Sequence, residues 1–284
     1  MEEGPPMITL IDRADGTPLS TLSAEDFVVL QDNLVLESEQ DFDYYLNDAT
    51  LELLASAGMS AETITALSAR MRHRGMDVGW EQPGQGSLVH SGSVVGSHSQ
   101  PLGGIRVDLV SGTAIVNWAY SRNDGSFEIV ADRSGDYLRF SGRGDLILRQ
   151  DPVEEPGDQG EFEMQTIRGT VQTETDKPLP GVNVMLTDWR SAEPGDSTSW
   201  AALGGQRSWG DTDDEGRFAI PVNLPEDKGP LEIELELTTV GGETLEMIVL
   251  TISPDSGLDL GVLRAPEPTP PETLEADLAE VASE

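Results

Sequence analysis

One block of this chain occurs twice in register, and that repetition limits the possible folds more than any other feature of the sequence. Gly92-Ser93-Val94 followed by Pro101-Leu102-Gly103-Gly104-Ile105-Arg106-Val107-Asp108-Leu109 matches Gly169-Thr170-Val171 followed by Pro178-Leu179-Pro180-Gly181-Val182-Asn183-Val184-Met185-Leu186. Glycine to proline is nine residues in both copies (92 to 101 and 169 to 178), and the block returns at an offset of 77. A repeat of this kind marks a structural unit used twice. Its local meaning is a strand, a polar turn in which proline fixes φ and glycine permits φ > 0, and a second strand whose alternate residues face a core. Ile105, Val107 and Leu109 occupy the inward positions in one copy, and Val182, Val184 and Leu186 in the other.

Both copies then reach an acidic turn that starts a further strand, Asn123-Asp124-Gly125-Ser126-Phe127-Glu128-Ile129 and Asp214-Glu215-Gly216-Arg217-Phe218-Ala219-Ile220. Proline to that glycine is 24 residues in the first copy (101 to 125) and 38 in the second (178 to 216), which assigns copy two a 14-residue insertion at about 187–210. These residues resemble the carboxypeptidase regulatory-like domains of the transthyretin-like, or prealbumin-like, β-sandwich family. The resemblance covers roughly 86–150 and 163–264, and copy two adds a closing strand at Leu258–Leu263. Copy one shows no clear equivalent and ends in Asp145-Leu146-Ile147-Leu148. The family implies modules fused to enzymes, receptors and surface or particle proteins, without catalysis of their own.

The expected architecture is mainly β: two Ig-like or transthyretin-like β-sandwiches behind a small helical domain. The boundaries read as 1–81 for an acidic helical domain with short flanking strands, 84–150 for sandwich one and 151–161 for a Pro/Gly/acidic linker. Sandwich two follows at 162–264, and 265–284 reads as a disordered acidic tail. A strand at 7–11 leads into an Asp15-Gly16 turn. The first helix opens at Ser23, with Asp26 in the capping-box position, Leu22 and Phe27 as a hydrophobic staple, and an apolar face of Phe27, Leu30 and Leu34. The spacing of Phe42, Tyr45, Leu46, Ala49 and Leu53 predicts a second helix over 41–57 capped by Gly58. A third starts at Ser60 and ends in Arg70, Arg72, His73 and Arg74, ahead of a strand at 76–80.

Charge narrows the partners. Seventeen Lys and Arg against 52 Asp and Glu give a formal net charge of −35, a field that repels nucleic-acid phosphates and anionic membranes. A salt-adapted (halophile) origin and an acidity peculiar to this chain are both consistent with it. A salt titration of stability separates them, since screening relieves self-repulsion and a salt-adapted fold melts at higher temperature as salt rises. Cysteine is absent, which removes disulfides and thiolate metal sites. Met1–Pro6 has neither a basic nor an apolar leader region, so cytoplasmic synthesis is expected, with extracellular or particle association left open. No apolar run reaches the length of a membrane span.

The catalytic inventory is thin, and the expectation is a protein that is not an enzyme. His73, His90 and His98 stand in no metal or triad spacing. Asp211-Thr212-Asp213-Asp214-Glu215-Gly216 places Asp211, Asp213 and Glu215 at positions 1, 3 and 5 of an EF-hand-like loop, a candidate Ca²⁺ site, but position 12 is Val222 instead of Glu. The alternative is a turn whose aspartates bond their own backbone. Lys177 and Lys228 lie in loops, which argues against an intramolecular isopeptide bond. Trp189, Trp200 and Trp209 in the insertion could form an aromatic platform for carbohydrate or protein, or could cap the core. The function expected is therefore structural or protein-binding. A carbohydrate- or Ca²⁺-binding module and an accessory part of a phage-like or cell-surface assembly are the alternatives.

Overall fold

The computed structural model describes residues 8–34, 43–71, 75–82, 86–97, 99–143, 146–193, 195–196, 208–225, 229–239, 242–253 and 258–267. The protein is mainly β, with 17 strands and three helices among the described residues.

The N-terminal unit is a mixed sheet-and-helix layer, not a helical domain. Its strands β1 (Ile8–Asp12), β2 (Pro18–Leu22), β3 (Asp43–Asn47) and β4 (Gly75–Glu81) form a sheet in the order β2-β1-β4-β3, all neighbours antiparallel. Helices α1 (Ala24–Asn33), α2 (Asp48–Ser56) and α3 (Ala61–Arg70) cover it. Their Leu30, Leu51, Leu54 and Leu67 share one apolar cluster with Leu10, Leu46 and Val78 of the sheet. The predicted helix over 41–57 is corrected: 43–47 is strand, and the helix begins only at Asp48. Alternation decides the strand, because Tyr44 and Leu46 are buried while Tyr45 points out. An Asn47/Thr50 capping box then starts α2. At its other end Gly58, φ +103°, closes a Schellman motif through Gly58 N–H to Ala55 O and Met59 N–H to Leu54 O.

Ser23 and Ser60 cap α1 and α3 as expected, but the side chain of Asp26 serves the neighbouring helix. Its buried carboxylate accepts from Ser60 N–H (2.7 Å), Ser60 Oγ (2.8 Å) and Thr63 Oγ1 (2.7 Å), locking the starts of α1 and α3 together. Burial works to raise its pKa, but the Ser60 backbone and the Thr63, Ser60 and Ser23 hydroxyls outweigh it and hold the carboxyl below its ordinary value. A depressed folded pKa gives stability that is complete above the unfolded value and is lost as pH falls through the folded one. Asp26→Ala should therefore cost about 2–3 kcal/mol at neutral pH. The deficit should shrink in denaturant melts as pH is taken below the ordinary carboxylate range and through the depressed folded pKa, where wild type loses the same bonds.

The repeats fold alike down to single hydrogen bonds. Copy one runs β5 (Leu88–Gly96), β6 (Arg106–Ser111), β7 (Ala114–Tyr120), β8 (Ser126–Ala131), β9 (Tyr137–Ser141) and β10 (Ile147–Pro152). A long strand follows, β11 (Gly157–Gln172), and copy two continues with β12 (Val182–Ser191), β13 (Ser208–Asp211), β14 (Arg217–Val222), β15 (Leu231–Thr239), β16 (Thr244–Ile252) and β17 (Asp259–Arg264). One sheet of copy one is ordered β10-β9-β6-β7, and its counterpart in copy two is β16-β15-β12-β13. In copy one Ser121 Oγ donates to Leu102 O (2.7 Å) and accepts from Ile105 N–H (2.9 Å). In copy two Thr212 Oγ1 donates to Leu179 O (2.7 Å) and accepts from Val182 N–H (2.8 Å). Gly92 and Gly169 both lie under a phenylalanine, Phe127 and Phe218, so close that a Cβ would sit 3.0 and 2.9 Å from the ring.

The facing sheets are joined through β11, and here two expectations are corrected. Residues 151–161 are not a linker: β10 extends to Pro152 and β11 begins at Gly157. The first half of β11 pairs parallel with β5 (Phe162 opposite Val94), as β17 pairs parallel with the second half of β11 (Leu263 opposite Val171). The closing strand that copy one lacked in the sequence is thus the leading half of the strand that opens copy two. Nor are the repeats separate units, since their apolar residues form one contiguous cluster from Val94 and Phe140 through Phe162 and Ile167 to Leu235 and Leu263.

Candidate functional site: a junction of three modules

Charged groups from all three modules gather where the N-terminal sheet meets both repeats, around the buried Arg13 and Arg143. The turn after β1 and the Pro-Leu-Gly-Gly turn of copy one approach backbone to backbone, and a Cβ on Gly103 would fall 1.9 Å from Asp15 O, which only glycine allows. Arg13, buried, donates Nη2–H to Gly142 O (3.0 Å), pairs with Asp43 (3.1 Å) and stacks over the Tyr120 ring. Tyr120, wholly buried in β7, donates to Asp43 Oδ1 (3.3 Å). Burial first, then Asp43, raises its phenol pKa.

Arg143, between β9 and β10, is the hub. It donates to Asp211 of copy two (2.8 Å) and to the Arg13 carbonyl (3.3 Å), and lies 4.0 Å from Asp77 of β4. Burial opposes its charge, but Asp211, Asp77 and Asp12 overcome that and push its pKa up, so the guanidinium stays protonated.

Two tryptophans at the same repeat position grip β4. Trp118 and Trp209 are separated by 91 residues, as are Phe127 and Phe218. Trp118 Nε1–H donates to Trp80 O (2.8 Å) and Trp209 Nε1–H to Asp77 Oδ2 (3.3 Å). The Trp118 ring also meets Trp80 edge-on at 4.8 Å, and Trp80 meets Phe27 of α1. Arg106 lies over the Trp118 ring and joins Arg139 on the buried Asp108.

The structure disperses the residues singled out from sequence. Trp189 is 1% exposed and belongs to the core, so it offers no platform. Trp209 docks the N-terminal sheet, and Trp200 lies outside the described residues, as do His73, His98, Lys228 and residues 268–284. In the acidic turn all three candidate Ca²⁺ ligands already have protein partners. Asp211 faces Arg143, whereas Asp213 accepts from Arg217 Nε (2.8 Å) and from the backbone of Glu215 and Arg217, and Glu215 pairs with Arg217 (2.8 Å). Arginine cations and turn amides would compete with a metal ion for these oxygens. Among the described residues no group of three His, Asp or Glu side chains converges as metal ligands. His90 is buried in β5, and burial lowers its pKa.

A shallow open groove of about 810 Å³ crosses the outer face of β5, β8 and β11, lined among others by Ser91, Ser93, Ser126, Glu128 and Glu161. Among the described residues no helix is long and apolar enough to cross a membrane.

No protein-family profile matches the chain, and no curated protein matches it. Among solved structures it is similar to 3-chlorocatechol 1,2-dioxygenase from Rhodococcus opacus 1CP, with 16% identity over 36% of this chain and 57% of that one, at a TM-score of 0.22. It is also similar to a streptococcal ancillary pilin (11% identity, 94% of this chain and 100% of that chain, TM-score 0.23). A third is the full-length major pilin RrgB of Streptococcus pneumoniae (10% identity, 94% and 64%, TM-score 0.24). The chain thus spans just over half the length of the dioxygenase it matches. Superpositions this loose assign it neither an activity nor a partner.

Proposed function

We propose that this chain is a non-catalytic structural and protein-binding component of a cell-surface or particle assembly, built from two carboxypeptidase regulatory-like modules. The observation that carries the reading is β11, sixteen residues long and shared end to end by the two sandwiches. A linker would let the modules swing. A common strand, a common apolar core and the Arg143–Asp211 pair hold them as one body suited to spacing and bearing partners. The ionisable groups at the junction support the same reading, because Arg13, Asp43, Asp77, Arg143 and Asp211 are engaged in joining modules to one another. Fractionation of producing cells tests it. The chain is expected in envelope or particle material, and its recovery as a free cytosolic monomer would overturn the proposal.

A further inference from the structure

The two repeats carry the same edge strand in two different states, and the difference points to a docking site. In copy one β10 pairs with β9 (Arg149 opposite Phe140), and in copy two β16 pairs with β15 (Glu246 opposite Leu237). Phe140 faces Val107 and Leu237 faces Val184, so Arg149 corresponds to Glu246, Gln150 to Met247 and Pro152 to Val249.

The edge of copy one is closed off. It is six residues long and ends in a proline, which has no N–H to offer an incoming strand. Its Arg149 reaches over the Phe162 ring and donates to Glu163 O (3.2 Å) of β11, clasping the open side of the sandwich. The edge of copy two has none of these guards. β16 is nine residues long without proline, and among the described residues β15 is the only strand paired with it. Glu246, where Arg149 would be, can donate nothing to a carbonyl. Outward from this strand stand Met247 (44% exposed) and Val249 (54% exposed), opposite Glu236 and Glu234 of β15.

We infer that β16 receives an added strand from a different polypeptide, an extended segment in which Lys or Arg alternates with apolar residues. The inference rests on the protein-binding reading above and names its partner's chemistry. Backbone pairing would complete the sheet. Cationic side chains would lay their stems along Met247 and Val249 and carry their heads toward Glu234 and Glu236, whose present bonds are to Thr187 and Thr244. Arg190 makes the equivalent approach from the other flank, pairing across the strands with Glu232. A second copy of the chain fits less well, because each brings a net charge of −35 to the contact.

The test is calorimetric titration of the full chain with a blocked peptide, Lys-Val-Arg-Val-Lys-Val-Arg, with hydrogen exchange to locate it. Wild type is expected to bind with protection of the β16 amides, and Val249→Lys, an exposed change that leaves the core alone, to bind at least about tenfold more weakly. Val249→Pro, which copies Pro152, should behave likewise if its melting confirms the fold. A peptide with Glu in place of each cation should not bind. Equal binding by Val249→Lys, equal binding of the Glu peptide, or no binding to wild type would overturn the inference. So would self-association of wild type through β16 that Val249→Lys abolishes, since the occupant would then be a second copy. None of these results changes where the chain is found in cells, so the assembly reading stands or falls separately.

Discussion

Arg143→Ala should lower stability by about 3 kcal/mol, the low end of the range for breaking a buried ion pair, because Asp211 keeps access to water after its partner is gone. Three losses combine: the pair to Asp211, the hydrogen bond to the Arg13 carbonyl, and the packing of a buried side chain. More telling than the magnitude is the shape of the transition. Wild type should melt in a single calorimetric step, because the junction and the shared core couple all three modules. In Arg143→Ala the N-terminal unit should separate as an earlier step. Asp211→Asn, which keeps the shape and loses only a half-exposed charge, should cost about 1 kcal/mol or less. Equal effects of the two changes would show that the arginine matters only as a partner of Asp211.

Trp189→Ala should be at least as damaging, at about 3–5 kcal/mol, the cost of emptying a fully buried aromatic site. Trp189 sits on β12 opposite Ile233 of β15, among the residues that fill copy two. Trp209→Ala should cost far less, about 1 kcal/mol, because it loses one hydrogen bond to Asp77 from a half-buried ring. Denaturant melts of both variants check the contrast. A Trp189→Ala protein of wild-type stability would favour the platform reading over the core-capping one for that side chain.

How much of this was legible in the sequence depends on whether a signal was local or shared between distant segments. The caps at Ser23 and Ser60 and the Gly58 stop are local chemistry, and they stand where the residues indicated. The repeated strands are legible because alternation survives in both copies. The second helix was misread because Phe42, Tyr45, Leu46, Ala49 and Leu53 fit a helical face by spacing alone. Tyr45 and Leu53 in fact face solvent at 48% and 44% exposure, and the buried set is Tyr44, Leu46, Leu51 and Leu54. A finer signal was present in Asn47-Asp48-Ala49-Thr50, an N-cap followed by its box partner.

The linker reading and the assignment of Trp209 to the insertion went astray for a related reason. Acidic, Gly- and Pro-rich composition suggests a loop, yet Asp158-Gln159-Gly160-Glu161-Phe162 echoes Asp259-Leu260-Gly261-Val262-Leu263 at an offset of 101. In both, the aspartate accepts from the glycine N–H, and the glycine takes positive φ. Trp209 was counted with the insertion, whereas its 91-residue spacing from Trp118 marks it as part of the repeat. The three-module junction was out of reach, because Arg13, Asp77, Arg143 and Asp211 come from four distant segments with no common pattern.

The shared strand also dictates an order of events during synthesis. The first sandwich cannot close when the ribosome has delivered residue 150, because its final strand is still to come at Gly157–Met164. By the time that strand is out, the nascent chain has already begun its neighbour. A protease cut or a gene fusion placed within β11 should therefore damage both halves, because each sandwich takes one end of that strand.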